Sequence, residues 1–201
     1  RYDLPTAANC QAPMPVVIEQ KARNPQLSAN DWGFIGLLQT PTARMGEAGE
    51  FRFTYSQVWP YDRGSLVLQP FDWLTGGFRY TNISNVPYGP ESLSGNQSYK
   101  DKSFDLKLRL MTETATRPQV AVGIIDLAGT GLFSSEYLVA NKRIGDFDLS
   151  AGAAWGYSGS SYNLKKNPLS IFGKGFNTRD PNDNATGGTV GYKNFFHGAT
   201  A

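Results

Sequence analysis

Asp105, Lys107, Arg109, Asp126, Glu136 and Asp148 are ionisable residues set among apolar neighbours, on what read as the polar faces of strands. Carboxylates paired at roughly 5 to 9 Å are the acid and base of glycoside hydrolysis. Charges of both signs lining one cavity do something else: they pair with one another or meet a hydrated sugar chain. A single sequence fixes no separation between carboxylates, so these six are read as lumen-facing candidates for contact with a polysaccharide. No catalytic residue is assigned, and the chain is not read as an enzyme.

Other chemistries find little support. His197 is the single histidine and Cys10 the single cysteine, which leaves no zinc cluster, thiolate pair or Ser-His-Asp triad to build. Cys10 reads as a free thiol. The run Asp180-Pro181-Asn182-Asp183-Asn184 begins like a calcium loop. Gly187 then comes two places late for the required turn, and Gly191 stands where a bidentate Glu is needed. Gly129-Thr130-Gly131 lacks the strand-to-helix setting of a phosphate cradle and reads as a loop tip. No metal or cofactor is expected. Trp59, Trp73, Tyr80, Trp155 and Tyr157 have flat apolar faces that suit sugar rings, but their places near strand ends fit anchoring at a membrane interface better.

The elements that must position these residues are strands. The chain has 201 residues, with 22 Gly, 12 Pro and 13% aromatics, a mix that favours short strands and turns over long helices. Phe51, Phe53 and Tyr55 alternate with Arg52, Thr54 and Ser56. Phe104, Leu106, Leu108 and Leu110 alternate with Asp105, Lys107 and Arg109. From Phe147 to Tyr157 one row holds small apolar residues between aromatic ends, the pattern of an outer-membrane strand with interfacial girdles. Strands are expected near 51–59, 64–70, 75–83, 102–112, 119–125, 134–142 and 147–157, with another starting near Asn194. The Pro-rich residues 1–31 read as an extended periplasmic leader outside the main fold, and 32–201 as the wall. The net charge of +2 comes from scattered residues, so nucleic acid is not an expected partner.

Alternation alone does not separate a membrane barrel from a soluble sandwich. Loop lengths add a criterion. The connections at 71–73, 113–118 and 143–146 are short and fall at one end, whereas 84–101 and 158–193 are long and fall at the other. That sorting belongs to outer-membrane barrels. The expected fold is therefore all-β, an antiparallel up-and-down transmembrane β-barrel, of which these strands are part of a larger whole. The alternative is a secreted carbohydrate-binding β-sandwich.

Five stretches carry a resemblance: Gly33 to Met45, Gln69 to Ser84, Ser98 to Leu110, Pro118 to Arg143 and Trp155 to Ser160. Together they resemble the N-terminal part of the YjbH/GfcD family over about residues 28 to 200. The resemblance implies an outer-membrane β-barrel of a Gram-negative exopolysaccharide or capsule operon. Its implied partners are the polysaccharide chain, outer-membrane lipid, and periplasmic and lipoprotein products of the same operon. Two features depart from the family: the terminal aromatic strand is lacking, and Leu164 to Thr189 carries little likeness. The first of these reads as a truncated barrel.

Overall fold

The structure, a computed structural model, describes residues 27–161, 163–180 and 190–201. Cys10, most of the expected leader and all but Asp180 of the calcium-like run lie outside them. Seven alternating runs form seven strands: β3 (Glu50–Val58), β4 (Tyr61–Phe71), β5 (Leu74–Pro87), β6 (Ser98–Met111), β7 (Gln119–Ile125), β8 (Ser135–Ile144) and β9 (Phe147–Gly156). They pair antiparallel in chain order within one sheet. Ahead of them, β1 (Gly36–Leu37) and β2 (Thr40–Pro41) make a small hairpin, and α1 (Glu91–Ser94) is one short turn of helix. Among the described residues no helix is long and apolar enough to cross a membrane, which leaves crossing by strands open.

The two faces of the sheet are sorted by register, because residues directly opposite each other across a pair share a face. Leu66 lies opposite Phe53 and Phe78, and Phe78 opposite Phe104; Leu108 lies opposite Leu74 and Val122, and Leu138 opposite Val122 and Ala153. This face is apolar and bare: Phe53 is 65% exposed, Phe104 53% and Leu66 42%. The opposite face carries Arg63, Arg79, Asp101, Asp105 and Lys107, every one buried, with Arg63 and Arg79 at 0%. A sheet folded for water does the reverse, since transferring apolar area out of water drives folding and burying a charge opposes it. Among the described strands no second layer packs on the apolar face, as a sandwich would require.

A strap of chain covers the polar face. Trp32, Phe34, Ile35, Ala43 and Met45 are buried against it. The Asn30 side chain organises the strap's first turn, its Oδ1 accepting from the N–H groups of Trp32 and Phe34 at 3.1 Å each. At Gly33, φ is +89° and a Cβ would come within 2.6 Å of the Ser65 Cβ, so only glycine lets the strap lie this close. Gly77 plays the matching part on the sheet, because a Cβ there would meet the Phe34 ring at 2.7 Å. Asn30 is itself buried, so the fold begins before residue 32, the boundary read from the sequence. The strap does not alternate and adds no strand to the sheet.

The connections match the expected sorting in part. One rim has the two-residue turns Asp72-Trp73 and Gly145-Asp146 and the connection 112–118. The other has 88–97, 126–134 and the exit from β9, and it also has the tight turn Trp59-Pro60, because β4 begins at Tyr61 and not near residue 64. The expected long loop at 84–101 contracts because β5 and β6 each run for 14 residues. No strand starts at Asn194: Tyr192–Asn194 is a 3-10 turn, and pairing resumes only where Ala154 and Ala201 exchange hydrogen bonds of 2.8 and 3.0 Å. The sheet does not close, since β3 and β9 are its two edges. The fold is all-β and antiparallel as expected, and these strands by themselves form no closed barrel.

Candidate functional site

Alternation on β5 and β6 places Arg79 beside Asp105 and Ser103. The Arg79 guanidinium donates to Asp105 Oδ2 at 2.8 Å and to Ser103 Oγ at 2.6 Å. Its carbon lies 4.4 Å from the centre of the Trp32 ring, and that of Arg63 lies 4.7 Å from the same ring. Asp105 also accepts from the Asp126 N–H at 2.7 Å. The polar face is thus cross-linked by an ion pair at its centre, and the strap delivers an indole onto two cations. Three nitrogens of Arg63 and the Trp32 indole N–H have no hydrogen-bond partner.

Further along the strap the sheet's side chains grip its backbone. Lys107 Nζ donates to the carbonyls of Ile35 and Arg44 at 3.2 and 2.5 Å. Gln119 donates to the Ala43 carbonyl at 2.6 Å, and the Ala43 N–H donates to Asn141 Oδ1 at 2.7 Å. Arg44 then forks onto Asp148 at 2.7 and 2.8 Å and reaches Glu113 at 2.5 Å. The backbone N–H of Arg143, and after it the Arg44 guanidinium, hold Glu113 down at about 2. A carboxylate held this low stabilises the fold fully above the ordinary glutamate range, and that stabilisation is lost as pH falls through about 2. The protection factor of the Ala43 amide is therefore expected to drop between pH 4 and 2. Glu113→Gln should show reduced protection already at pH 7, measured by hydrogen exchange.

Asp126, just past β7, accepts from the Phe133 N–H at 3.1 Å. Burial first, and then the Asp101 carboxylate, push it up from 3.8 to about 7. The folded chain keeps this proton where the unfolded chain releases it, so stability declines as pH rises from about 4 to 7. Asp126→Asn is expected to remove that slope and raise the melting temperature at pH 8 relative to the parent. Thermal melts at pH 5 and 8 would read this.

Of the six ionisable candidates, Asp105, Lys107 and Asp148 come together on the polar face beneath or beside the strap. Arg109 is half-buried where β6 meets the 112–118 connection, and Asp126 is buried at the other rim. Glu136 is a correction. Register sets it opposite Ile124 and Trp155, on the apolar face, where Arg179 and Phe196 reach it. Arg179 pairs with it at 3.0 Å and the Phe196 N–H donates to it at 2.8 Å. Trp59, Trp73 and Tyr80 are exposed, Trp73 stacking on Phe71 with centres 5.4 Å apart. Trp155 and Tyr157 are not exposed girdle residues. Trp155 is buried, its indole donating to Asn167 Oδ1 at 3.0 Å, and Tyr157 packs edge-on against Trp32 and Phe133 in the core. Sequence reasoning passed over Arg63, Arg79, Asp101 and Trp32. Arg79 was open to detection, since it alternates with Phe78 and Tyr80; Trp32 had no local signal. Asp101, Asp105 and Asp126 are buried, and each accepts a hydrogen bond, from Thr130, the Asp126 N–H and the Phe133 N–H respectively. No group of three or more His, Cys, Asp and Glu residues able to hold a metal occurs among the described residues.

Residues 28–201 match the family model described as the exopolysaccharide biosynthesis protein YbjH, a span that takes in strap and sheet together. The chain belongs to the YjbH family. It is also 47% identical over 172 residues to a protein of Escherichia coli (strain K12) called an uncharacterized lipoprotein YjbH, covering 85% of this chain and 24% of that protein. The YjbH-family chain thus spans about a quarter of that relative's length. No solved structure matches it.

Proposed function

We propose that this chain forms part of the wall of an outer-membrane β-barrel that serves exopolysaccharide production and secretion as a passage or scaffold. The apolar face meets lipid, and the polar face lines the interior, narrowed here by the strap. The observation that carries this reading is the inverted burial of the sheet, with Phe53, Leu66 and Phe104 bare and Arg63, Arg79 and Lys107 enclosed. Membership of an exopolysaccharide family supplies the polymer. The edges β3 and β9 are where further strands would continue the wall, since unpaired backbone cannot face hydrocarbon.

No reaction is assigned. Asp105 is tied to Arg79 and to the Asp126 N–H, Asp126 to the Phe133 N–H and Asp148 to Arg44, so these carboxylates serve the scaffold. The partners are the polymer, outer-membrane lipid, and periplasmic and lipoprotein components made alongside it. Membrane fractionation tests the placement. The protein should stay with outer membranes through high-salt and urea washes, leave them only in detergent, and migrate differently on gels before and after heating. Recovery as a monodisperse, detergent-free species would support the carbohydrate-binding sandwich instead.

A further inference from the structure

A cavity of about 540 Å³ lies between the strap and the β8–β9 end of the polar face. Its size falls in the range of small-molecule sites. Gly152 and Ala154 on β9 form part of its wall. The chemistry of its lining differs from that of the rest of the polar face. Trp32 and Tyr157 supply aromatic surface, and Gln39, Ser150, Ser158 and Asn163 supply uncharged donors and acceptors. No Asp, Glu, Lys or Arg lines it. Trp32, 3% exposed, lines it too, and its indole N–H has no partner.

We propose that this cavity is a subsite for uncharged sugar units of a polysaccharide, and that it selects against uronate or other acidic sugars. Each pyranose presents an apolar face and a rim of hydroxyls, which aromatic surface and neutral polar groups satisfy together. An acidic sugar would lose hydration on entering and find no cation in the lining: Arg79 is paired with Asp105, Arg44 with Asp148 and Glu113, and Arg63, whose nitrogens have no hydrogen-bond partner, is 0% exposed and shut in by the Trp32, Tyr61 and Phe133 rings. The strap forms part of the site, since it contributes Trp32 and Gln39. The inference takes from the passage reading only the expectation that the ligand is a glycan.

The test uses purified protein in a detergent without a sugar headgroup. Neutral hexa-oligosaccharides of glucose, galactose and mannose are compared with a hexa-oligogalacturonate by saturation-transfer NMR and tryptophan fluorescence. At least one neutral oligosaccharide should bind, with the oligogalacturonate at least tenfold weaker. Gln39→Ala changes an exposed side chain and should weaken neutral binding at least threefold. Ser160→Trp, at the mouth, should abolish it without moving the melting temperature. The proposal is overturned if no neutral oligosaccharide binds, if the oligogalacturonate binds as well or better, or if both variants bind like the parent. Outer-membrane fractionation of the same variants scores the wall reading separately, so the two can fail independently.

Discussion

Asp105→Ala should destabilise the protein by about 3–5 kcal/mol, the usual cost of removing one partner of a buried ion pair. Arg79 is wholly enclosed, its guanidinium bonded to both Asp105 oxygens, at 2.8 and 3.4 Å, and pressed against Trp32. Without the carboxylate, that cation stays buried with Ser103 and an indole as its remaining partners, and the Asp126 N–H loses its acceptor. The double change Asp105→Leu with Arg79→Met removes both charges and should recover most of the loss. Urea unfolding in micelles would read both effects. A single variant within 1 kcal/mol of the parent would mean that the pair does not organise the polar face.

Phe104→Arg has the opposite logic and a comparable size. The side chain is 53% exposed, and in water an arginine at such a site changes stability by no more than a few tenths of a kcal/mol. Facing hydrocarbon near the bilayer midplane, it costs about 2–4 kcal/mol. Phe104 sits opposite Phe78, with Leu106 and Leu108 following on the same face, and the next pair toward the rim, Lys102 opposite Tyr80, offers a like charge and a hydroxyl but no carboxylate to pair the guanidinium. The expected result is a clear loss of stability in lipid bilayers and little change for Lys102→Arg, whose residue lies on the same face nearer the loop rim. Equal behaviour of the two variants would count against a lipid-facing sheet.

The strands were legible in the sequence where one face is uniformly apolar. β3 and β6 alternate so regularly that the faces of Phe53 and Asp105 follow from position alone. β8 is different, because Ser135 and Asn141 on one face compete with Glu136 and Lys142 on the other. What decides for Glu136 is Arg179, 43 residues away, and no local pattern reveals such a partner. Trp155 fails for the same reason: aromatic at a strand end, it looks like a girdle residue until Asn167 claims its indole. The strap was the least legible part. Its residues have no period, and they are held by contacts to Lys107, Gln119 and Asn141, 72, 76 and 98 positions away. The polar face was recognised as polar, but not as a covered surface with a neutral cavity at one side.

Nitroxide labels placed singly from Ser103 to Leu110, in protein reconstituted into bilayers, test which face of the sheet meets lipid through accessibility to oxygen and to a water-soluble nickel chelate. Labels at 104, 106 and 108 should meet oxygen and exclude the chelate, while those at 103, 105 and 107 should be shielded from both. Ready collision of the chelate with positions 104, 106 and 108 would contradict a lipid-facing sheet.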